Sequence, residues 1–380
     1  MNSGPSNVVE LLSDLIRIPS VNPDGDPGTD KLGEQACAEY VADFLRESCG
    51  AETVLEEVLP GRPNVIGRFP NETGAEKCLL FGPHTDTVGV GGMTIDPWSG
   101  EVRDGRIWGR GASDTKGSMS TMLWALHELR GEIAKLPFRV MFVGFMGEES
   151  RQDGSQHFGK HHADEADFAI AGEPTELDVV FAHKACWWIE LITKGKAAHG
   201  ATPEKGVNAV MKMTHVVQAL ESEFPAAIAE FEDDVLGLST VSVNQFHGGG
   251  RTNVVPDSCV ATIDLRATPG LFARGILEFI REFLDSRGFN EVELNPTCQS
   301  PAMRTDREDP FVQQLLANGS KLVTAPWLCD GAWLAHSGIP SIALGPGSIA
   351  QAHTKDEFIS VEDLEAGAAY FKRFLSAQLP

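Results

Sequence analysis

The chain is short of positive charge: 31 Lys and Arg stand against 54 Asp and Glu, a net charge of −23 over 380 residues. Phosphate backbones and anionic headgroups bind clustered cations, so the deficit argues against a nucleic-acid partner and against docking on a membrane surface. No apolar run approaches the roughly 18 residues of a membrane span. Met1–Leu12 lacks a basic stretch leading into an apolar core, so no secretory signal is expected. The cysteines (Cys37, Cys49, Cys78, Cys186, Cys259, Cys298, Cys329) are odd in number, scattered and without a CxxC pair. That usage disfavours a thiolate zinc site or a disulfide framework, and the expectation is a cytoplasmic protein. A GxSxG elbow and an HExxH helix are also missing, which sets aside serine-hydrolase and gluzincin chemistry. Gly89–Gly92 is a glycine cluster without the dinucleotide fingerprint.

What is present is globular material, long enough for about two domains. Four short apolar runs pass directly into polar, acidic or histidine residues. Cys78–Phe81 leads into Gly82-Pro83-His84-Thr85-Asp86, and Phe138–Phe145 into Gly147-Glu148-Glu149-Ser150. Phe168–Ala171 leads into Gly172-Glu173-Pro174, and Ser341–Leu344 into a Gly-rich loop ending at His353. Continuous apolar runs bounded by Gly and Pro read as strands buried on both faces. Helical patterns cover Gly33–Ser48, Gly117–Arg130, Pro310–Leu316 and Val361–Leu375. Alternation of the two predicts an α/β fold with a mostly parallel sheet, whose ligands gather at the carboxyl ends of the strands.

The middle of the chain differs. Strands are expected at Cys186–Thr193, Ser239–Phe246, Cys259–Ala267 and Glu291–Leu294, and helices at Gly206–Glu223 and Phe272–Arg287. This βαββαβ order is ferredoxin-like. It predicts an inserted domain over 181–295, with 1–180 and 296–380 together forming the larger catalytic domain.

His84, Asp114, Glu149, Glu173 and His353 offer two imidazoles and three carboxylates at the strand ends. Mixed nitrogen and oxygen donors suit zinc, and also cobalt or manganese. Asp114 can bridge two ions with its two oxygens. Glu148, beside Glu149, is then a carboxylate left over to act as general base, and Asp86 is spaced to hydrogen-bond His84. Taken singly these residues are unremarkable. Asp114 could cap the following helix, Glu148 and Glu149 could sit in a surface turn, and His353 in a loop.

Together the motifs resemble those of the co-catalytic zinc hydrolases that include aminoacylases, acetylornithine deacetylases, succinyl-diaminopimelate desuccinylases and glutamate carboxypeptidases. The resemblance runs through Leu15–Pro23, Gly82–Val88, Gly109–Gly117, Gly147–Glu149, Ala171–Thr175 and Gln351–Glu357. It implies that His84 and Glu173 hold one zinc, Glu149 and His353 a second, and Asp114 both, with a cis peptide at Asp114-Thr115. Glu148 is the implied base and Asp86 the partner of His84. The middle segment resembles the family's lid and dimerisation domain. There Lys196–Gly200 supplies His199, which would act across a homodimer on the tetrahedral intermediate. Gly248–Asn253 supplies Asn253 for substrate or oxyanion, and Asp264-Leu265-Arg266 supplies Arg266 for a substrate carboxylate.

The expected activity is hydrolysis of the amide of an N-acyl amino acid, with Gly345–His353 closest to acetylornithine deacetylases and desuccinylases. A dipeptidase or glutamate-type carboxypeptidase on the same scaffold is the alternative, and a non-catalytic dimeric binding protein the alternative of another class. His157, His161 and His162 are read as a polar, loop-like surface cluster. Of Trp187 and Trp188, one is expected in the core and one at the surface.

Overall fold

The computed structural model describes residues 4–380. It divides into two compact units: residues up to Phe181 with Arg304–Val323 and Cys329–Pro380, and Ala182–Met303 with Thr324–Leu328.

The first unit is built around the Cys78–Gly82 strand, buried along its whole length. Arg139–Gly144 and Phe168–Ala171 pair with it in parallel on either side, and Ser341–Ala343 extends the parallel run beyond Phe168–Ala171. Alternate residues serve opposite faces, as the two-residue period of a strand requires. Leu80 joins a cluster with Phe158 and Leu334, while Phe81 meets Phe371 of the C-terminal helix edge-on at 5.8 Å. The helices Lys116–Glu128 and Val361–Ser376 pack together. The latter starts where Ser360 accepts a hydrogen bond from the Asp363 N–H, with Glu362 and Asp363 complementing the helix dipole.

The sheet is therefore α/β as expected, but mixed rather than parallel to its edges. Arg62–Arg68 joins Arg139–Gly144 antiparallel, and Glu52–Leu59 pairs outside it, also antiparallel. Leu59 faces Arg62 across a tight turn at Pro60-Gly61, where Gly61 has φ 69°. A two-residue turn reverses the chain and leaves no room for the crossover a parallel pair needs. Val179–His183 adds antiparallel to Ser341–Ala343.

In the second unit, four antiparallel strands lie in the order Thr240–Gly248, Ser258–Ala267, Ala185–Lys194, Glu293–Ser300. Ile189, Leu191, Ala261, Ile263 and Leu265 form one core with Met213, Val216 and Leu220 of the Ala209–Ser222 helix and Ile280 and Leu284 of Ile276–Asp285. The helix expected over 272–287 is interrupted. It runs as Pro269–Arg274 and Ile276–Asp285, because Gly275 takes φ 93°, outside the helical region. Trp187 packs against the core and Trp188 is exposed, as read from the sequence.

The 157–162 histidines are not in a loop. They lie on the Asp153–His162 helix, which buries Phe158, and His157 and His162 turn back to Glu56. A single apolar residue anchoring an otherwise polar helix leaves too weak a periodicity to read.

Candidate metal centre

Each parallel strand of the first unit leads into a segment that carries one or two candidate groups. His84 lies just past Cys78–Gly82 and is held by a bridge to Phe145; Glu148 and Glu149 follow Arg139–Gly144 through the turn at Gly147. Glu173 follows Phe168–Ala171 and is buried, and His353 comes from the loop after Ser341–Ala343. Asp114 stands one residue before the N-cap of Lys116–Glu128, and the Asp114-Thr115 peptide is cis.

His84 Nε2 lies 3.0 Å from Asp114 Oδ1. His353 Nε2 lies 3.5 Å from Asp114 Oδ2 and 3.0 Å from Glu149 Oε2. Ligand atoms of His84, Asp114 and Glu149 all fall within 4.8 Å of one another. Glu173 is buried, and the charges of His84 and Asp114 act on its carboxyl.

The donors fit a cation on three observations. The edge of a tetrahedron built from metal bonds of about 2.0–2.1 Å is about 3.3 Å, close to the spacings found. His84 Nδ1 sits 3.0 Å from the Asp86 carbonyl, to which it donates. A neutral His84 would thus aim its Nε2 lone pair at the Asp114 carboxylate, which is repulsive unless a proton or a metal lies between. Finally, Glu149 Oε1 is buried without a partner.

The electrostatics agree. Burial pushes Glu148 and Glu173 well above the usual carboxylate range, with neighbouring carboxylates adding to the rise and His84 opposing it. Burial and the Asp114 charge push Glu149 up to about 7. Burial favours the neutral form of His84, yet its contacts with Asp114 and Asp86 hold its pKa well above normal. The hydrogen bond to Glu149 raises that of His353. This is a buried cluster with more acids than it can ionise, and bound cations would relieve it.

Asp86 does more than its spacing suggested. Its Oδ1 is 3.4 Å from His84 Nδ1, but its two oxygens also accept the backbone N–H groups of Glu148 (3.1 Å) and Glu149 (3.0 Å), and Oδ2 accepts Asn22 Nδ2 at 2.8 Å. It thus holds the acidic turn as well as the imidazole. Glu148 Oε1 accepts Gln152 Nε2 at 2.9 Å.

Sequence reasoning missed two buried acids. Asp330 accepts the Ser155 hydroxyl at 2.5 Å and is pushed up to about 7 by burial. Glu357 accepts the backbone N–H groups of Gly111, Ser113 and Asp114. Asp330 follows a cysteine ahead of a six-residue helix and carries no periodic signal. Glu357, four residues after His353, closes the Gln351–Glu357 motif, but nothing in its spacing points to a role.

The remaining candidates belong to the second unit. His199 and Asn253 are exposed neighbours: Ala198–His199 pairs with Val254–Val255, and the Gly200 N–H donates to the Asn253 carbonyl at 2.8 Å. Arg266 lies near the far end of Ser258–Ala267, on the helix-free face, where Nε and Nη2 bind Asp264 at 2.8 and 3.1 Å.

Known proteins share this architecture. The M20 family metallo-carboxypeptidase Sso-CP2 of Sulfolobus solfataricus superposes with a TM-score of 0.77 at 20% identity, over 99% of both chains. The YXEP protein of Bacillus subtilis, described as a dinuclear metal-binding peptidase, superposes with a TM-score of 0.71 at 15% identity, over 98% of this chain and 97% of that one. Acetylornithine deacetylases are similar in sequence. That of Proteus mirabilis is 29% identical over 96% of this chain and 95% of its own, and that of Vibrio vulnificus 27% identical over 94% of each. The fold and site define a metal-dependent hydrolase of carbon–nitrogen bonds. Residues 80–377 match Peptidase family M20/M25/M40, and the chain belongs to that family.

Proposed function

We propose that the protein is a dinuclear zinc amidohydrolase that cleaves the amide of an N-acyl amino acid, of the acetylornithine deacetylase and desuccinylase kind. The observation that carries the reading is the division of Asp114, one oxygen toward His84 and the other toward His353, with Glu149 and Glu173 around them. His84 and Glu173 would hold one ion, Glu149 and His353 the other, and Asp114 both. Bound there, two zinc ions supply Lewis-acid polarisation of the carbonyl and a water acidic enough to ionise near neutral pH.

The chain's own residues do the rest. Glu148, braced by Gln152, takes the proton from the attacking water and returns it to the departing amine nitrogen. Asp86 holds His84 in the tautomer that presents Nε2 and fixes the backbone of Glu148 and Glu149. Arg266 offers the guanidinium edge left over from Asp264 to the substrate carboxylate. His199 and Asn253 donate to the developing oxyanion.

A homodimer reconciles the second unit's candidates. The eight residue steps from Ser258 to Arg266 cover roughly 26 Å at about 3.3 Å each, and His199 lies beyond the Ser258 end. One small substrate does not reach both from a single copy, so His199 and Asn253 would come from a partner. The unpaired edge of Thr240–Gly248 and the exposed Val207, Met211, Phe246 and Val254 give such a partner an apolar, hydrogen-bonding surface. The seven cysteines are all thiols, which suits the cytoplasm.

The test is amine release by zinc-reconstituted protein across N-acetyl, N-succinyl and dipeptide substrates, with Glu148→Gln as control. Turnover of N-acyl amino acids that the control lacks supports the reading. Turnover confined to dipeptides would make the protein a peptidase on the same centre. Mixing inactive His199→Ala and Glu148→Ala chains should restore partial activity. No recovery despite subunit exchange would remove the shared site.

A further inference from the structure

Two loops that carry candidate ligands, 109–114 with Asp114 and 345–357 with His353, are joined by a buried ion pair that the chemistry above leaves out. Glu357 is fully buried and Arg110 nearly so. Phe358–Ser360 pairs antiparallel with Arg106–Trp108, Phe358 opposite Trp108, and the Gly109 N–H donates to the Glu357 carbonyl at 3.0 Å. That register sets the Glu357 side chain beneath the turn that follows Trp108.

Every acceptor position of the carboxylate is then used. Oε1 accepts the N–H groups of Ser113 (2.7 Å) and Asp114 (2.9 Å); Oε2 accepts the Gly111 N–H (3.0 Å) and Arg110 Nη1 (2.8 Å). Two carboxylate oxygens offer about four lone-pair sites, and four donors occupy them. Arg110 carries the tie further: Nη2 donates to the Thr354 carbonyl at 3.1 Å, one residue past His353, and Nε to the Gly89 carbonyl at 3.2 Å. The backbone of Asp114 and the backbone beside His353 therefore hang on one charged pair. Only an acceptor-only group suits the position, since an amide would turn its NH2 toward two N–H donors whichever way it faced.

We propose that Glu357, clamped by Arg110, is the positioning residue that fixes the separation of Asp114 from His353 and so tunes the metal centre. This rests on the two-metal reading above. Groups that orient metal ligands in this way change metal affinity by about 10–100-fold when removed.

Apo protein is titrated with Co2+, following stoichiometry by calorimetry and ligand geometry by the visible spectrum, beside a thermal melt and the kcat and KM of the loaded enzyme. For Glu357→Gln the expected result is an affinity loss of about tenfold or more for at least one ion, an altered cobalt spectrum, and a lower kcat with KM little changed. Glu165→Gln, which breaks the partly exposed, doubly hydrogen-bonded pair with Arg68 elsewhere in the same unit, controls for the loss of an ion pair away from the site. It should lower the melting temperature and keep the wild-type spectrum. A wild-type chain that binds no cobalt tightly would remove the metal reading itself. Two tightly bound ions in Glu357→Gln with the wild-type spectrum would overturn the positioning role alone, as would the same spectral change in Glu165→Gln. Should Glu357→Gln not fold, Arg110→Lys decides. Lysine keeps a cationic donor for Glu357 but cannot also span to Thr354, so an altered spectrum supports the clamp and an unaltered one overturns it.

Discussion

Asp114 presents its two oxygens to two different histidines, Oδ1 to His84 Nε2 at 3.0 Å and Oδ2 to His353 Nε2 at 3.5 Å. An amide cannot do this, because one of its two heads is a donor. On the proposed two-zinc reading, Asp114→Asn is expected to lower bound zinc from two ions per chain to one or none. A loss of several kcal/mol of transition-state stabilisation corresponds to about a thousandfold in kcat or more. Metal analysis of the purified variant beside steady-state kinetics checks both.

Metal loading should release protons. Burial and the Asp114 charge hold Glu149 at about 7, and burial pushes Glu148 and Glu173 well above the usual carboxylate range, so the apo cluster keeps protons that metal must displace. Metal binds the deprotonated groups, so apparent affinity falls as pH falls, by about tenfold per unit for each proton displaced. Calorimetric zinc titrations in two buffers of different ionisation enthalpy measure the release. Equal heats in both would contradict it.

Glu34 and Arg62 form a bidentate ion pair, fully and almost fully buried. Removing one partner leaves a buried charge unpaired, at a typical cost of about 3–5 kcal/mol. Arg62→Ala should lose stability of that order in urea denaturation, while Arg62→Ala with Glu34→Leu recovers much of it. A single variant as stable as wild type would refute the pair's importance.

His162 sits between Glu56 and Glu165, which raise its pKa against the effect of burial, and both carboxyls are in turn lowered. A raised histidine stabilises the fold below its unfolded value near 6.5, and the gain is lost as pH rises through the folded value. The lowered carboxyls contribute above about 4.5 and lose it on acidification. His162→Gln should thus reduce the melting temperature more at pH 6 than at pH 9. The part due to lost packing on Phe158 should be the same at both.

Cys298 is half-buried on the helix-free face of the second unit. A hydrogen bond from Cys186, with the Arg266 charge, holds its thiol down to about 7, whereas burial pushes Cys49 up to about 12 and Cys78 to about 11. At pH 7 iodoacetamide should label Cys298 about tenfold faster than an ordinary thiol. Peptide mass spectrometry reads the sites, and Arg266→Ala should move the labelling midpoint to higher pH.

Much of this was legible because it is local. The buried strands announce themselves as unbroken apolar runs, so Phe168–Ala171 is found where it was read and Cys78–Gly82 within one residue. The first three strands and the first helix of the middle portion follow the same logic, as side-chain periodicity records which face is buried, while the last strand, expected at Glu291–Leu294, lies at Glu293–Ser300. The order of acids and histidines at strand ends likewise needs only the chain itself.

Other features depended on contacts that sequence distance hides. The antiparallel edge at Glu52–Arg68 turns on one positive φ at Gly61, and the helix break on another at Gly275. Asp86 bracing Glu148 and Glu149 joins residues more than sixty positions apart, and Glu357 supporting Asp114 joins residues 243 apart. A hydrogen-bonding pattern of that kind leaves no periodicity, since each donor is a backbone amide that any residue can supply. The sequence by itself determined the class of chemistry, through the side chains available as candidate ligands and base. Tertiary structure alone decided which oxygen faces which histidine, and which buried carboxylates hold the loops in place. Those choices follow from the register of strands and the satisfaction of buried polar groups, which are settled only when the chain has closed on itself.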